Sequence, residues 1–482
     1  MEHQSEILSP ATGWLLLVIL GFFWIFLGVY WGRKAKNMEG FMLAGRNVGL
    51  AFGTATAMAT WITSNTTMLA PQFALQLGIW GMIAYSMAAF GLFLFAPLAK
   101  RIKNLMPKGY TSGDFIRLRY GNMTWYVFLV ISIFYGFTWL ISMGMAGGIL
   151  MNALAGIPYK VGMTVILIVC VLYTVFGGLY AVIGTDFIQS LIIIIGIVIV
   201  GCAVIYSIDL DQVYSDLQTE RPMLISLLLP ASIMAIFNNL LFGIGEVFHS
   251  NVWWSRAFAM REDIGQKAFT MAGFFWLPVP VAAGFIALTS GSMGINITSP
   301  DMVGPLMAGH ILGSVGAIIV FIVFFCSLAS SVDSLLAATS DLIIEDIYKK
   351  MIDPRAKEKR LRIMSVLVIT GLGLLAWLVC LPRIGTLATV LFFAGPMVAS
   401  TIYPIVTGLF WKRASAMGAL WAMALGSVIG LIAYFQLGWY TASLIGATVS
   451  ILVTTAFAKW QPENFDWNRL DESDFPKERQ RI

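Results

Sequence analysis

The residues best suited to bind a cation lie in one stretch, CSLASSVDSLLAATSDLIIEDIYKK, residues 326–350. An apolar run over 318–325 leads directly into it, so the stretch continues a membrane helix. Its serines recur at steps of three and four residues and share one helical face: Ser327, Ser330, Ser331 and Ser334. Asp333 adds a carboxylate and Thr339 a further hydroxyl. Such a face is unfavourable in hydrocarbon unless it lines a polar cavity, and its oxygens are ligands for a hard cation. Helix–helix adhesion through the hydroxyls is the alternative.

Two other apolar segments are interrupted by polar residues. Residues 48–76 are polar from Thr60 to Thr67, and Pro71 follows. Because proline lacks an amide donor and clashes with the carbonyl four residues earlier, we predict a helix break near Thr67. Residues 224–249 have the same character: Pro230, Asn238, Asn239, Gly243, Gly245 and Glu246. Two interrupted helices in two halves of a chain indicate an inverted-repeat transporter, although a kink with a polar patch would explain either one alone.

A third polar element is GGLYAVIGTDFIQ, residues 177–189. If a helix begins at residue 180, Asp186 lies about two turns from its cytoplasmic end. The side chain either reaches water by snorkelling or faces the protein interior as a cation ligand.

The composition places the chain in a membrane. Of 482 residues, 59% are hydrophobic and 11% are charged, and the mean hydropathy is +0.83. A soluble domain carries about 25% charged residues, so we predict an all-α polytopic membrane protein. The net charge of +5 indicates no nucleic-acid partner, since the basic residues fall between apolar segments. The three histidines are scattered and no catalytic motif is present, so we predict that the chain is not an enzyme. His249 is interpreted as a satisfied residue at the membrane interface.

Hydropathy predicts about thirteen membrane spans. They lie near 14–31, 48–76, 80–99, 124–153, 160–177, 180–207, 224–249, 268–290, 309–348, 361–381, 386–410, 414–437 and 441–459. The distribution of basic residues predicts an N-terminus outside and a C-terminus in the cytoplasm. Arg256, Arg261 and Lys267 fall in a cytoplasmic loop in this scheme, and no Arg or Lys lies deep in a span.

The whole chain forms a single membrane domain in this interpretation. The predicted divisions are 1–459 for the transporter domain, with repeat one at 48–207, repeat two at 224–410 and extra helices at 14–31, 414–437 and 441–459, and 460–482 for a short cytoplasmic tail.

Four motifs resemble the sodium:solute symporter family. They are TSGDFIRLRYG (111–121), GGLYAVIGTDFIQ (177–189), WWSRAFAMRE (253–262) and SSVDSLLAATSDLIIEDIY (330–348). The resemblance covers nearly the whole chain. It implies a broken-helix fold with an inverted five-plus-five repeat, and sodium-driven uptake by alternating access.

The resemblance also implies cation ligands. The first sodium site would use the carbonyls of Ala59, Ile62 and Ser327 and the hydroxyls of Ser330 and Ser331. A second cation would be held by Asp186, Asp333 and Ser334. Asp333 adds negative charge near Asp186, and two close carboxylates share one proton unless a cation lies between them.

The solute is expected at mid-membrane, between the two interrupted helices. Its candidate contacts are Trp61, Asn65, Thr66, Gln72, Tyr135, Trp139, Asn238, Asn239, Phe393 and Tyr403. The family transports sugars, amino acids, vitamins, short carboxylates and urea. The lack of a deep Arg or Lys disfavours a carboxylate clamp, so a neutral or zwitterionic solute such as urea or proline fits better, although broken-helix amides can still bind an anion.

The expected function is therefore sodium-coupled symport of a small polar organic solute into the cell. We expect a multi-pass protein of the cell membrane that contacts the lipid bilayer, with Na⁺ as the co-transported ion, no organic cofactor and no obligatory protein partner. The alternatives are a proton-coupled symporter of the same fold, a transporter-like sensor with a separate signalling partner, and a passive channel.

Overall fold

The computed structural model describes residues 7–290 and 297–471, which form helices joined by short connections. The first seven helices are α1 (Pro10–Gly32), α2 (Met38–Leu43), α3 (Leu50–Trp61), α4 (Ser64–Leu77), α5 (Ile79–Ser86), α6 (Ala89–Leu105) and α7 (Ser112–Tyr120). The next seven are α8 (Asn122–Ala155), α9 (Tyr159–Ser207), α10 (Leu210–Glu220), α11 (Pro230–His249), α12 (Asn251–Ala259), α13 (Ile264–Trp276) and α14 (Pro278–Leu288). The last seven are α15 (Val303–Leu342), α16 (Glu358–Cys380), α17 (Leu387–Phe393), α18 (Gly395–Ser400), α19 (Ile402–Phe410), α20 (Ala416–Gln436) and α21 (Trp439–Trp460). A π-helix over Ile343–Ile352 continues α15.

Eleven helical segments of the described chain are long and apolar enough to cross a membrane, so the all-α polytopic prediction is confirmed. The predicted spans 160–177 and 180–207 both lie within α9, which bends at Gly178. Gly178 has φ 53° and ψ −147°, a conformation open to glycine, and a Cβ there would meet the Phe41 carbonyl oxygen at 2.5 Å. The count of thirteen, the orientation and the repeat boundaries stay predictions. The predicted tail beyond Asp471 lies outside the described residues.

The first interrupted helix breaks earlier than predicted. Helix α3 ends at Trp61, Ile62 is non-helical with φ −81° and ψ 81°, and α4 begins at Ser64. The Thr63 hydroxyl accepts from the Thr66 amide at 3.1 Å, and the Thr66 hydroxyl accepts from the Thr63 amide at 3.2 Å. This reciprocal cap starts a new helix at the break. Pro71 lies inside α4, so the predicted break near Thr67 is wrong.

The second interruption also differs from the prediction. Helix α11 runs without a break from Pro230 to His249, because Pro230 occupies the first turn, where its missing amide costs no hydrogen bond. The break falls at Ser250, whose hydroxyl accepts from the Val252 amide at 3.3 Å and caps α12. Helix α12 contains Arg256, which is fully buried. The assignment of Arg256 to a loop is therefore wrong, because it lies in a short buried helix; the side of the membrane that this helix faces stays a prediction.

The serine-rich helix lies at the centre of the bundle. Helix α15 packs along α8 and α9 and also contacts α3 and α4. Helix α3 in turn packs against α9 and α13. Two backbone hydrogen bonds join the segment before α3 to the end of α12. The Val48 amide donates to the Ala259 carbonyl and the Arg261 amide donates to the Val48 carbonyl, each at 3.1 Å. This packing brings α3 and α12, one helix from each side of the two breaks, against α15.

Candidate functional site

The serine face of α15 meets the end of α3. The Ser330 hydroxyl donates to the Ala59 carbonyl at 2.9 Å, and the Ser331 hydroxyl donates to the Thr60 carbonyl at 3.3 Å. Both hydroxyls also lie within hydrogen-bonding distance of the Ser327 carbonyl, at 3.1 and 2.9 Å. All of these residues are completely buried. Four of the five predicted sodium ligands are thus in direct contact with one another.

The oxygens gathered here suit a small hard cation. The set consists of carbonyl oxygens at the end of a broken helix and two hydroxyl oxygens, with no sulfur or nitrogen ligand. Ile62, the fifth predicted ligand, lies in the break itself. Within the described chain, no cluster of His, Cys, Asp and Glu suggests a transition-metal site. Carbonyl and hydroxyl oxygens of this kind are the ligands that a hard cation takes in proteins.

Asp186 is buried in α9 and pairs with a residue that the sequence prediction placed elsewhere. Its Oδ2 accepts from the Thr56 hydroxyl at 2.6 Å and lies 3.3 Å from Arg256 Nη2. The same guanidinium group donates to the hydroxyls of Thr60 and Ser334, both at 2.7 Å, and its Nε donates to Thr56 at 3.0 Å. Of the two positions that the sequence left open for Asp186, the structure shows the interior one, and the Arg256 side chain already lies between Asp186 and Ser334.

Asp333 has fewer partners. Its Oδ1 accepts from the Ser334 hydroxyl at 3.3 Å, whereas its Oδ2 has no hydrogen-bond partner among the described residues. Asp186 Oδ1 also has no hydrogen-bond partner among the described residues. Two buried carboxylate oxygens are therefore left unsatisfied beside the Arg256 cluster.

A second group of predicted residues surrounds a cavity, which we term the central cavity. It is lined by Trp61, Thr63, Asn65, Tyr85, Ala88, Tyr135, Trp139, Asn239, Phe242, Trp276 and Leu391. Five of the ten predicted solute contacts are in this lining: Trp61, Asn65, Tyr135, Trp139 and Asn239. Within the part of the chain that the structure describes, no charged side chain belongs to this lining.

Six aromatic rings of this lining follow one another around the cavity, and we call them the aromatic arc. In order they are Tyr85, Trp276, Trp61, Trp139, Tyr135 and Phe242. Successive ring centroids are 6.1, 5.7, 6.2, 5.7 and 6.4 Å apart. The Trp276 indole also donates to the Trp61 carbonyl at 2.5 Å, which ties the arc to the broken end of α3.

The other five predicted solute contacts lie outside the lining. Thr66 caps α4, and its hydroxyl donates to the Trp61 carbonyl at 3.0 Å. Gln72 lies about two turns further along α4 and contacts Gln76. Asn238 Oδ1 accepts from the Ser443 amide at 2.9 Å and so holds α21. The remaining two are Phe393, which packs on Tyr434 and Phe435 of α20, and Tyr403, which is partly exposed in α19.

The sequence prediction missed Arg256 and gave no solute or cation role to Glu246. Glu246 is fully buried, and both of its carboxylate oxygens lie 3.0 Å from the Trp253 indole nitrogen. His249 is also fully buried, with its ring 4.6 Å from that of Phe128 and neither ring nitrogen paired within the described chain. It is therefore not the satisfied interfacial residue that was expected. A charged residue within an apolar run was the available signal for Glu246.

A further ion-pair cluster lies between α7 and the π-helix that follows α15. Lys350 Nζ lies 2.5 Å from Asp114 Oδ1 and 2.6 Å from Asp346 Oδ1. Burial acts to raise the pKa of Asp114, but the Lys350 ammonium and the amides of Tyr110 and Thr111 outweigh it and hold that pKa below its ordinary value. Lys350 thus joins α7 to the π-helical extension of α15.

Helices that are broken at buried positions and packed around a polar face and a separate cavity are typical of secondary transporters of the broken-helix class. The chain belongs to the sodium:solute symporter family, whose sequence model matches residues 41–426. It is therefore a multi-pass transporter of the cell membrane and not an enzyme, as predicted.

Several curated proteins are similar along most of their length. The urea-proton symporter DUR3 of Oryza sativa subsp. japonica is 25% identical over 537 residues, covering 96% of this chain and 72% of that protein. The osmoregulated proline transporter OpuE of Bacillus subtilis is 26% identical, covering 90% of each chain. The sodium/pantothenate symporter of Escherichia coli is 27% identical, covering 88% of this chain and 90% of that protein.

Solved structures confirm the fold. A Na⁺-coupled sialic acid symporter in a substrate-bound outward-open state aligns with a TM-score of 0.77 at 16% identity, covering 94% of this chain and 99% of that one. Mhp1, a nucleobase-cation-symport-1 family transporter, aligns with a TM-score of 0.53 at 13% identity, covering 89% and 96%.

Proposed function

We propose that this protein takes up a small polar organic solute together with sodium, by alternating access. The observation that carries the proposal is the contact of Ser330 and Ser331 with the Ala59, Thr60 and Ser327 carbonyls at the break in the first interrupted helix. Sodium bound there would connect α15 to α3, so the position of one helix would depend on the ion. The sodium/pantothenate symporter and the sodium-coupled sialic acid symporter support sodium as the ion.

The solute site that we propose is the central cavity. It adjoins the cation site, because Trp61 lies in its wall and also forms the last residue of α3. Occupation of the cavity and of the cation site would both depend on the geometry of the break at Ile62. Such shared dependence on one element is how two ligands become coupled.

For a second cation, our hypothesis remains a site at Asp186, Asp333 and Ser334. Arg256 already contacts Asp186 Oδ2 and the Ser334 hydroxyl. A further cation would therefore use Asp186 Oδ1 and Asp333 Oδ2, the two oxygens without partners among the described residues.

Proton coupling is a second candidate function. Glu246 is a buried carboxyl group near the solute cavity, and one relative is named a urea-proton symporter. In that case Glu246 would carry the proton, and uptake would continue in potassium buffer with an inward proton gradient.

The test is sodium-dependent stabilisation of the purified protein in potassium buffer. A ligand that binds the folded state alone raises apparent stability by mass action. We expect sodium to raise the thermal midpoint of the wild type and of Ser340→Ala, but not of Ser331→Ala. Ser340 is a matched control because it is buried on the same helix, with its hydroxyl 3.5 Å from the Ser365 carbonyl. A full sodium response in Ser331→Ala would contradict the site.

Transport in liposomes completes the test. A sodium-coupled symporter accumulates labelled solute only under an inward sodium gradient, and its uptake saturates with solute concentration. Uptake that is linear in concentration and indifferent to sodium would indicate a channel. Uptake driven equally by protons in potassium would favour the second candidate.

A further inference from the structure

We propose that the central cavity binds a small organic cation, an ammonium group carrying one polar oxygen, with the aromatic arc around the charge and Glu246 as its counter-charge. The inference rests on the proposed function in one respect, that this cavity is the solute site. It goes further by assigning the charge and chemical class of the solute.

The arc has the composition of a cation-binding site. It consists of three tryptophans, two tyrosines and one phenylalanine from five helices, and every centroid lies within 6.4 Å of the next. The faces of aromatic rings carry partial negative charge, and cages of such rings bind quaternary ammonium groups. Among the described residues, no lysine, arginine or histidine lines the cavity, so no side chain of this lining repels a positive charge.

Glu246 lies directly behind this arc, where its ionised form would place a negative charge. The Trp253 indole donates to both of its oxygens at 3.0 Å, and the Trp253 ring lies 5.3 Å from that of Trp61, edge to face. Tyr135, a ring of the arc, lies beside the same carboxylate. A carboxylate offers about four lone-pair positions, so the Trp253 indole and the Tyr135 hydroxyl leave part of its accepting capacity unused.

The protein does not neutralise Glu246 by itself. Within the described chain, no Lys, Arg or His nitrogen lies within 4.0 Å of its oxygens. Arg256 is occupied by Asp186, Thr60 and Ser334. His249 is one turn away on α11, but its ring packs on Phe128. A buried carboxylate without a counter-ion is unfavourable, and a cation in the arc would provide one.

The charge of Glu246 distinguishes between neutral, zwitterionic and cationic solutes. A neutral solute leaves Glu246 uncompensated, and a zwitterion brings a carboxylate for which the cavity offers no basic side chain. A solute with one positive charge balances the site. A proton on Glu246 is the rival way to balance it, and it predicts no preference for a cationic solute.

Two amide groups in the lining have atoms free for the polar end of the solute. Asn65 Nδ2 and Asn239 Oδ1 are buried and have no partner within the described chain. A hydroxyl group both donates and accepts, so one solute oxygen can accept from Asn65 and donate to Asn239. These two contacts suit an alcohol attached to an ammonium group.

The experiment compares choline with its uncharged isostere, in which a quaternary carbon replaces the nitrogen. Both are titrated against the purified protein in sodium buffer, with urea and proline as further probes, and the shift in thermal midpoint gives the affinity. We expect choline to bind about tenfold or more tightly than the isostere, because only choline gains from the rings and the carboxylate. Equal binding of the two, or no binding of choline, would overturn the proposal.

Two variants test the counter-charge and the cage. Glu246→Gln should weaken choline binding by about tenfold or more while the sodium-induced shift persists. Glu39→Gln is its control, because Glu39 lies in a partly exposed ion pair with Arg46. If Glu246→Gln does not fold, Trp139→Leu provides the test through loss of one ring of the arc. Unchanged choline affinity in the variant that folds would also overturn the proposal.

The outcomes separate this inference from the proposed function. If sodium and either urea or proline stabilise the protein but choline does not, the proposed sodium-coupled symport would stand. The proposal of a cationic solute would then be wrong. Loss of every sodium response would instead remove the proposed sodium coupling.

Discussion

Asp186 of α9 and Arg256 of α12 form an ion pair in which neither side chain is exposed, with 3.3 Å between Oδ2 and Nη2. The guanidinium also donates to hydroxyl groups of α3 and α15, those of Thr56, Thr60 and Ser334, and to the Val252 carbonyl. Four helices that surround the proposed cation sites therefore meet at one arginine. Arg256 thus contacts Asp186 and Ser334, two of the three residues proposed for the second cation, and also holds the helices together.

Removal of this arginine should be costly. We expect Arg256→Gln to lower the free energy of unfolding by about 3–5 kcal/mol, because Asp186 would stay buried without its counter-ion. The measurement is unfolding in mixed micelles. Arg256→Gln combined with Asp186→Asn should lose less than the sum of the two single changes.

The control for this change is Arg360→Gln. Arg360 pairs with Asp353 at 3.1 Å, but its side chain is 66% exposed, so the loss should stay within about 1 kcal/mol. Equal losses for the two arginines, or strict additivity in the double variant, would contradict the role assigned to the buried pair.

The helix break should depend on Thr63 and not on Pro71. Thr63→Ala removes the cap of α4, which should cost about 1 kcal/mol and weaken sodium binding, since the carbonyls next to the break lose their fixed direction. Pro71→Ala should leave sodium affinity nearly unchanged, because Pro71 lies inside α4. Sodium titration of thermal stability measures both. Loss of the sodium response in Pro71→Ala with retention in Thr63→Ala would reverse the assignment.

Adjacent asparagines on α11 should behave differently. Asn238 holds the Ser443 amide of α21, so Asn238→Ala should destabilise the protein by about 1–3 kcal/mol with little change in KM for uptake. Asn239 lines the central cavity with a free Oδ1, so Asn239→Ala should raise KM with a smaller effect on stability. Each variant is the matched control of the other. The same effect of both on KM would show that the cavity is not the solute site.

Acid should remove the stabilising effect of Asp114. The pKa of Asp114 is lowered in the folded protein, so its contribution is present above the ordinary carboxyl pKa of about 4 and is lost as pH falls through the lowered value. The stability difference between wild type and Asp114→Asn should therefore be constant from about pH 8 to pH 5 and narrow below about pH 4. Thermal midpoints across this range provide the measurement. A difference that widened on acidification would show that the pKa is raised instead.

The sequence by itself determined the class of protein. Long apolar runs are local features, and they predicted a polytopic membrane fold that eleven long apolar helices confirm. The serine face of α15 was equally visible, because helical periodicity alone places Ser327, Ser330 and Ser331 together. For Asp186 the sequence left two positions open, in water or in the interior, and only the structure decided between them.

Only the tertiary structure decided which side chains meet across helices. Arg256 is distant in sequence from Asp186, and a basic residue between apolar segments looks like a loop residue until its partner is known. The aromatic arc is assembled from five helices, so no window of the sequence contains it, and an aromatic residue in a membrane helix has the same local pattern whether it faces lipid or a cavity. Local hydropathy reports burial from water, whereas a site depends on which residues face one another, and that is determined by helix packing.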